Sequence, residues 1–363
     1  MKAAFVHTAA LAEAELRPGH PLKPARARTC YELLREHGVF ESGKAQLVEP
    51  APASREDVLR VHDAAYVDAV GQMSLTGRGE GFGFSELGDT PPFKGMFEYY
   101  LLACGAAIET VRLVDEGEAH VAFMAAGGVN HHAMADRASG FGVFNDAAVA
   151  IAWLVARGRR VMYLDLDVHH GDGVEAMFAH TDQVLTVSLH ESTRFLFPGP
   201  KGGFAENIGE GGGAGYAVNV PLAPHTGDET WLWAFEQVVP PLFLAFRPSL
   251  LLVQLGADGY FDDPLAHLLL TKHAYVTAAA RLREITSGRV AAVGGGGYDV
   301  DATPRIWALE FAALAGIDLG GEDFDLGRAA PHEAVPHSVE QARQFAGQSV
   351  ATVQRLVFPV HGA

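Results

Sequence analysis

Side chains able to do chemistry follow several short apolar stretches of this 363-residue sequence. The densest group is DLDVHHGDG, in which Asp165, Asp167 and His169 are spaced two residues apart. On an extended segment, that spacing would point all three side chains the same way. Asp167 and His169 could then bind one metal ion, with Asp258 of the GAD segment as a third ligand. Three protein ligands leave one position for water, which is typical of catalytic rather than structural sites.

The mixed nitrogen and oxygen ligand set suits one catalytic Zn²⁺, with Fe²⁺ as the alternative. A metal-bound water also needs a base, and the adjacent His131 and His132 of GGVNHHA could provide it. Each imidazole could donate its second N–H to a carboxylate, which would select its tautomer. Asp165 and Asp172 are the available carboxylates.

Tyr298, in GGGGYD, could donate a hydrogen bond to the oxyanion that forms when water attacks a carbonyl. Together these residues indicate metal-assisted hydrolysis of an amide. Taken singly, each has an ordinary structural interpretation as a helix cap, a surface histidine pair or a packed aromatic. Their shared placement after apolar stretches favours a common site. The glycines at 294–297 match neither GxGxxG nor GxxxxGK[ST], so a nucleotide site is not favoured.

The surrounding elements are predicted from periodicity. Continuous apolar runs indicate strands buried on both faces, at 121–128, 161–167, 184–190, 251–258 and 290–297. Helix-length segments lie between or after them, at 146–158, 229–246 and 273–286. This alternation predicts a parallel sheet with helices on both sides, and ligands bind at the carboxyl ends of such strands. The glycine-rich segments 77–88 and 201–215 are predicted loops, in one domain spanning 1–363 whose C-terminal helix, about 338–356, packs outside.

Composition narrows the class of protein. Lys and Arg number 27 and Asp and Glu 44, a net charge of −17, so direct binding to nucleic acid or anionic membranes is not expected. Only two cysteines occur, Cys30 and Cys104, which favours a reducing compartment and hence the cytoplasm. No apolar stretch is long enough to cross a bilayer. The sequence does not decide between monomer and dimer.

Seven motifs together resemble the histone deacetylase family over about residues 20–310, particularly the bacterial acetoin-utilisation, class I-like deacetylases. They are GHPLKP (19–24), GGVNHHA, DLDVHHGDG, FPG (197–199), GYAVNVPL (215–222), GADGYFDDPL and GGGGYD. The resemblance implies the arginase/deacetylase fold, a three-layer αβα arrangement around a central, mostly parallel eight-stranded sheet. It also implies hydrolysis of N-ε-acetyl-lysine to lysine and acetate.

The resemblance assigns roles by motif position. It makes Asp167, His169 and Asp258 the zinc ligands, His131 and His132 the catalytic dyad, and Tyr298 the residue that polarises the carbonyl. Asp165 then partners His131, and Asp172 partners His132. It also implies a structural K⁺ or Na⁺ bound by Asp165, by main-chain oxygens of Asp167, His169 and Leu189, and by the Ser188 hydroxyl. A second monovalent site is implied near Phe178, Thr181, Val184 and Tyr216.

The substrate-binding residues follow in the same way. Phe141 and Phe197 would wall a tunnel for the lysine methylenes, because two aromatic planes exclude water from the chain between them; packing in the core is the alternative for both. The remaining implied positions are Gly140 beside the acyl-lysine nitrogen, Gly296 in the substrate site, Leu265 and Asp89 at the rim, and Arg26 in the acetate channel.

Three alternatives remain. Arginase-like hydrolases bind two manganese ions through extra carboxylates, but Gly171 and Tyr260 occupy those positions here. Some acetylpolyamine deacetylases carry an acidic gate where this chain has Leu265, so small acetylated amines stay the second substrate class after acetyl-lysine proteins or peptides. A non-catalytic acetyl-lysine binding module would lack part of the apparatus, and none is missing. Asn130 and the segment KGGFAENIGEGG depart from the family pattern.

We hypothesise that the metal and Tyr298 polarise the acetyl carbonyl while the dyad moves the protons. His132 is then the general acid and base, and His131 assists electrostatically.

Overall fold

Eight parallel strands form one sheet at the centre of the protein. The fold is known from a computed structural model, which describes residues 2–13, 16–320, 322–326 and 336–363. Along the sheet the order is β2-β1-β3-β8-β7-β4-β5-β6. The strands are β1 (Ala3–Val6), β2 (Ala45–Val48), β3 (Val121–Met124), β4 (Val161–Asp165), β5 (Val184–Glu191), β6 (Ala217–Leu222), β7 (Leu250–Gln254) and β8 (Val290–Val293).

The predicted buried strands are confirmed, although most end sooner than their apolar runs. Every residue of β3, β4, β7 and β8 is buried, as expected for strands covered on both faces. The sequence pattern did not reveal β1, β2 or β6 as strands. In β2 and β6, polar residues and proline interrupt the apolar pattern. Pro221 is tolerated because β6 lies at an edge of the sheet, where an N–H is not required for pairing.

Helices cover both faces of the sheet, which confirms the predicted fold class. In chain order they are α1 (Ala25–Glu36), α2 (Arg55–Val58), α3 (Ala64–Thr76), α4 (Met96–Asp115), α5 (Asp146–Val155), α6 (Asp172–Phe178), α7 (Asp228–Phe246), α8 (Lys272–Ile285), α9 (Ala302–Ala315), α10 (Pro336–Leu356) and α11 (Phe358–His361). The helices predicted at 146–158, 229–246, 273–286 and 338–356 correspond to α5, α7, α8 and α10. Among the described helices, none combines the length and apolarity that crossing a membrane requires.

Alternate residues of the central strands face two separate hydrophobic cores. Phe5 and Phe123 point into a core formed with α1, α7, α8, α9 and α10. Their neighbours Ala4 and Ala122 point into a second core formed with α4 and α5. Helix α10 packs against the edge strand β6 and against α7, and the Ser349 hydroxyl donates to the Pro221 carbonyl at 2.7 Å. The β6 edge of the sheet is therefore covered rather than exposed.

The four central strands end in one row. Met124 of β3 pairs with Val293 of β8, Val293 with Gln254 of β7, and Gln254 with Asp165 of β4. Because all four strands are parallel, the loops that follow them leave the sheet at the same edge. This register places the dyad, the Tyr298 loop, the Asp258 loop and the Asp165 loop side by side.

The sequence predicted an extended segment from Asp165 to His169, and this prediction is wrong beyond Asp165. Strand β4 ends at that residue, and the chain bends at residues 167–169. Two side chains capture nearby main-chain N–H groups, since Asp165 Oδ1 accepts from Asp167 N at 3.2 Å and Asp167 Oδ1 accepts from His169 N at 3.0 Å. Such local bonds compete with strand pairing. Turns, rather than strand alternation, therefore bring these side chains together.

Candidate metal centre and active site

Three potential metal ligands converge at the ends of β4 and β7. One ligand atom from each of Asp167, His169 and Asp258 lies within 4.8 Å of the others. His169 Nδ1 lies 3.1 Å from Asp167 Oδ1 and 3.0 Å from Asp258 Oδ2. All three residues are buried. The structure thus brings together the ligands that the sequence suggested. Asp167 and His169 lie in the loop after β4, because that strand ends at Asp165.

The charges in this cluster fit a bound cation. Burial and the neighbouring Asp167 charge raise the pKa of Asp258 to about 7. Burial alone would lower the pKa of His169, but its bonds to Asp167 and Asp258 and their charges raise it to about 10. Two carboxylates so deeply buried are costly unless positive charge compensates them. One nitrogen and two oxygen donors also form a ligand set that suits Zn²⁺.

A second layer of N–H donors orients the two carboxylates. Asp167 Oδ2 accepts from Gln254 Nε2 and from the Gly296 main-chain N–H, both at 2.7 Å. Asp258 Oδ1 accepts from the Val168 main-chain N–H at 2.9 Å. A Cβ at Gly296 would collide with the Asp258 carboxylate, so only glycine fits there. Such outer partners hold metal ligands in a binding orientation.

The two adjacent histidines are each bonded to a carboxylate. His131 Nδ1 lies 2.9 Å from Asp165 Oδ2, and His132 Nδ1 lies 2.7 Å from Asp172 Oδ1. Their rings are 4.1 Å apart. Asp165 Oδ2 also accepts from the Tyr163 hydroxyl at 2.8 Å. Both Nδ1 atoms are thus occupied, which leaves the Nε2 atoms for a reacting group or an ion.

The two imidazoles have opposite pKa shifts. Burial and the neighbouring charge of His131 lower the pKa of His132 to about 4, against the opposing effect of Asp172. Burial would also lower the pKa of His131, but the charges of Asp165 and Asp167 raise it to about 9. Divergent pKa values in adjacent groups are typical of residues with different proton-transfer roles.

Tyr298 stands on the loop after β8, next to the metal-ligand cluster. Its main-chain N–H donates to Asp263 Oδ2 at 2.6 Å, which joins this loop to the loop after β7. Burial and the charges of Asp258 and Asp167 raise the pKa of Tyr298, so its hydroxyl stays protonated. The buried Arg26 lies with its guanidinium 5.7 Å from the Tyr298 ring centre and 4.9 Å from that of Trp307. Its Nη1 donates to the Gly297 carbonyl.

Aromatic rings flank the approach to the dyad. The Phe197 ring is 4.8 Å from the His132 ring, and Phe141 is 5.8 Å from Tyr298, both edge to face. A Cβ at Gly140, where φ is +52°, would collide with the His132 ring. Neither phenylalanine is a fully buried core residue, and 39% of Phe197 is exposed. Phe141 is partly buried and packs against a small cluster of Leu16, Leu22 and Val129.

The residues that the sequence assigned to the rim, Asp89 and Leu265, occupy two loops. Asp89 is exposed, and its main-chain carbonyl accepts from His20 Nε2 at 3.0 Å. The His20 ring in turn packs edge-on against Phe141 at 4.6 Å. Leu265 is half-buried, and its N–H donates to Asp263 Oδ1 at 2.9 Å. The buried His20 therefore links the loop that carries Asp89 to Phe141.

The residues assigned to monovalent ions surround β5. Ser188 pairs with Asp165 across β4 and β5, and its hydroxyl lies 2.8 Å from His190 Nδ1. Leu189 is the next residue of β5, and both are buried. The residues of the second set lie around the start of β5. Phe178 ends α6, and its carbonyl accepts from Thr181 N at 3.2 Å. Val184 begins β5. The Tyr216 carbonyl accepts from Thr186 N at 2.9 Å.

Sequence reasoning missed several residues that support this site. Gln254 is the polar last residue of an otherwise apolar buried strand, and that polarity was the available signal. Tyr163 had no signal, because a tyrosine within an apolar strand is usually a core residue.

Comparisons with known proteins identify the family of this chain. Residues 20–314 match the histone deacetylase domain. The acetoin utilization protein AcuC of Bacillus subtilis is 37% identical over 314 residues, which cover 84% of this chain and 79% of that protein. A probable deacetylase of Archaeoglobus fulgidus is 37% identical over 311 residues, covering 84% of each. The histone deacetylase clr6 of Schizosaccharomyces pombe is 34% identical over 306 residues, covering 83% of this chain and 74% of that protein.

A solved structure supports the same relationship. The crystal structure of the HDA15 HD domain superimposes with a TM-score of 0.84 and 26% sequence identity, covering 99% of this chain and 95% of that one. The eight-stranded parallel sheet with helices on both faces is the arrangement that the sequence resemblance implied. With the matched domain covering most of its length, the chain belongs to the histone deacetylase family.

Proposed function

We propose that this protein is a metal-dependent lysine deacetylase that hydrolyses the acetyl amide of N-ε-acetyl-lysine in proteins or peptides. One observation carries the proposal. A buried Asp167–His169–Asp258 cluster lies at the same sheet edge as two imidazoles that are each paired with a carboxylate. Such a combination suits amide hydrolysis, because it joins an ion site to groups that can transfer protons.

A divalent ion in this cluster, Zn²⁺ with Fe²⁺ as the alternative, would supply Lewis acidity and lower the pKa of a nearby water. His132 then acts as the general base and later as the acid. Its Nδ1 is held by Asp172 at 2.7 Å, so Nε2 takes a proton from water and returns one to the leaving amine. His131, held by Asp165, stabilises the developing charge.

The Tyr298 hydroxyl donates a hydrogen bond to the oxygen of the acetyl carbonyl as negative charge develops there. The raised pKa of Tyr298 supports this role, because an ionised phenol has no proton to donate. Asp263 supports the position of the tyrosine through the 2.6 Å bond from the Tyr298 N–H.

The substrate lysine enters between Phe141 and Phe197, with Gly140 beside the acyl-lysine nitrogen and Gly296 at the inner end. Leu265 and Asp89 contact the substrate at the rim, and the exposed Asp89 carboxylate accepts peptide N–H groups. Arg26 lines the exit of acetate, and its positive charge attracts that anion. The buried position of Arg26 beside Tyr298 and Trp307 supports this assignment.

Two structural K⁺ or Na⁺ ions complete the proposal. The first is bound by Asp165, Asp167, His169, Ser188 and Leu189, and the second by Phe178, Thr181, Val184 and Tyr216. We further propose one domain over 1–363, of which 1, 14, 15, 321 and 327–335 lie outside the described residues, and a cytoplasmic location. The likeness to the acetoin utilization protein AcuC supports placing the chain among deacetylases of that type.

The test measures acetate release from an acetyl-lysine peptide and, in parallel, from an acetylated polyamine. The apo-protein is reconstituted with Zn²⁺ or with Fe²⁺, and Asp258→Ala serves as the matched control. We expect peptide turnover with one metal equivalent and none in the control. Turnover of the polyamine alone would refute the peptide substrate and support the small-amine alternative. If the metal-bound protein released no acetate from either substrate, the proposed acetyl-amide activity would be refuted.

A further inference from the structure

The dyad turn, Val129–His132, lies against the first turn of α5. Asn145, the N-cap of that helix, has no exposed surface. Its Nδ2 donates to the carbonyls of Ala133 and His131, at 3.1 and 3.3 Å, and its Oδ1 accepts from the Ala148 N–H at 3.0 Å. The one side chain therefore both caps α5 and holds the main chain on either side of His132.

The next residue holds the other end of the same turn. Asp146 Oδ2 accepts from the Gly128 N–H at 2.8 Å, and its Oδ1 accepts from Asn130 Nδ2 at 3.0 Å. Asn130 is thus the buried partner of a fully buried carboxylate. Asn145 and Asp146 together bond to main-chain or side-chain groups at 128, 130, 131 and 133.

His62 holds the main chain of Asn145. Its Nε2 accepts from the Asn145 N–H at 2.9 Å, and its Nδ1 lies 3.4 Å from the Ala135 carbonyl. His62 is 3% exposed and packs against Phe144. A buried N–H requires a partner, and the N–H of an N-cap residue receives none from its own helix. The histidine provides that partner from a segment 83 residues away.

We propose that Asn145 is a positioning residue for the dyad, acting through the main-chain carbonyls of His131 and Ala133, and that His62 holds Asn145 in place. This inference rests on the proposed deacetylase function for its kinetic consequence. Asp172 restrains the ring of His132, whereas Asn145 restrains the main chain that carries the ring. Loss of the Asn145 amide leaves the ring bonded but free to shift with its backbone.

The neighbouring packing limits any replacement for this amide. Helix α6 approaches the same carbonyls from the other side, and a Cβ at Gly173 would collide with the oxygens of both His131 and Ala133. The two carbonyls are therefore enclosed between Gly173 and Asn145. Within the described residues, the Asn145 amide is the only side-chain group with hydrogen bonds to both of them.

Asn145→Ser separates the two roles of this residue. Serine is as good an N-cap as asparagine, so α5 keeps its cap while the two carbonyls lose their donor. In the zinc-reconstituted protein, we expect kcat for the acetyl-lysine peptide to fall about 10- to 100-fold, because small misplacements of catalytic groups have effects of that size. KM and zinc affinity should stay near wild type. Ser54→Ala, which removes the exposed N-cap of α2, should lower stability without changing kcat.

His62 provides the graded test. His62→Gln keeps an acceptor and a donor and should retain most of the activity, whereas His62→Leu removes both and should reproduce the Asn145→Ser defect. The readout independent of activity is the NMR signal of the His131 and His132 ring N–H protons that face Asp165 and Asp172. We expect these signals to shift or broaden in Asn145→Ser and His62→Leu but not in Ser54→Ala.

The outcomes are distinct. Wild-type kcat and unchanged imidazole signals in folded Asn145→Ser would overturn the positioning role. A kcat loss matched by the same loss in Ser54→Ala would also overturn it, because stability alone would explain both. If the wild-type protein hydrolyses no acetylated amine, the proposed function fails, and shifted ring signals in Asn145→Ser would still support the structural relationship.

Discussion

Gln254 Nε2 lies 2.7 Å from Asp167 Oδ2, so an amide at the end of the central strand β7 orients a carboxylate of the metal-ligand cluster. Gln254 is fully buried and its Oε1 accepts from the Gly256 N–H at 2.8 Å, which leaves its amide no freedom to turn. The same oxygen of Asp167 accepts from the Gly296 N–H. We infer that Oδ1 is the oxygen that Asp167 offers to an ion.

Gln254→Leu removes one of these donors. We expect metal affinity to fall about 10- to 100-fold, the usual effect of losing an outer-shell partner. The measurement is zinc competition against a chelator of known affinity. Gln254→Glu should bind zinc more weakly than wild type too, because it lacks the same donor and faces Asp167 with an acceptor. Unchanged affinity in both variants would contradict this role.

Tyr298→Phe should separate chemistry from metal binding. Removing a single oxyanion donor usually lowers turnover about 10²- to 10³-fold, so we expect kcat to fall by that factor. Zinc affinity should not change, because Tyr298 is not one of the candidate metal ligands. Steady-state kinetics with an acetyl-lysine peptide provides the check. Wild-type turnover in the variant would remove Tyr298 from the mechanism.

Leu265→Glu should change the substrate preference. A carboxylate at the half-buried rim position would attract the extra ammonium groups of an acetylated polyamine. We expect the ratio of kcat/KM for acetylpolyamine over a neutral acetyl-lysine peptide to rise about tenfold, the effect of about 1.4 kcal/mol. Leu265→Gln is the matched neutral control. An equal change in both variants would show that charge is not the cause.

His62 should make stability depend on pH below about 6.5. Burial lowers the pKa of His62 to about 4, from an ordinary value of 6.5. As pH falls between these values, the unfolded chain binds a proton that the folded chain does not, so the free energy of unfolding decreases. The full difference is about 3 kcal/mol. Denaturant titrations of wild type and His62→Gln between pH 4 and 7 should show a shallower dependence in the variant.

Glu310 should make the protein less stable as pH rises, whereas His62 makes it less stable as pH falls. It is 1% exposed on α9, its Oε2 has no hydrogen-bond partner, and burial raises its pKa well above 4.5. Above pH 4.5 the unfolded chain releases a proton that the folded chain keeps, so stability falls by about 1.4 kcal/mol per pH unit until the folded pKa is reached. Glu310→Gln should therefore be more stable than wild type at pH 7. Equal stability of the two proteins at pH 7 would contradict the raised pKa.

The sequence by itself determined the α/β class and the residues on which the proposed chemistry depends. Fully buried parallel strands require continuous apolar runs, and β3, β4, β5, β7 and β8 carry them. Reactive residues that follow such runs stand out by contrast, and the rule that parallel strands end at one edge predicted their convergence. Edge strands were harder, because β2 and β6 combine apolar residues with polar ones or with proline.

Only the tertiary structure decided how the site is held. The order β3-β8-β7-β4 makes neighbours of strands that are far apart in sequence, and it sets Met124, Val293, Gln254 and Asp165 in one row. Gln254 reaches Asp167 across 87 residues, and His62 reaches Asn145 across 83. The sequence pattern does not reveal such hydrogen bonds, because each depends on a single pair of atoms that meet only after the chain has folded. The turns after Asp165 were missed for a related reason, since side-chain bonds to local N–H groups replaced the strand that the apolar run predicted.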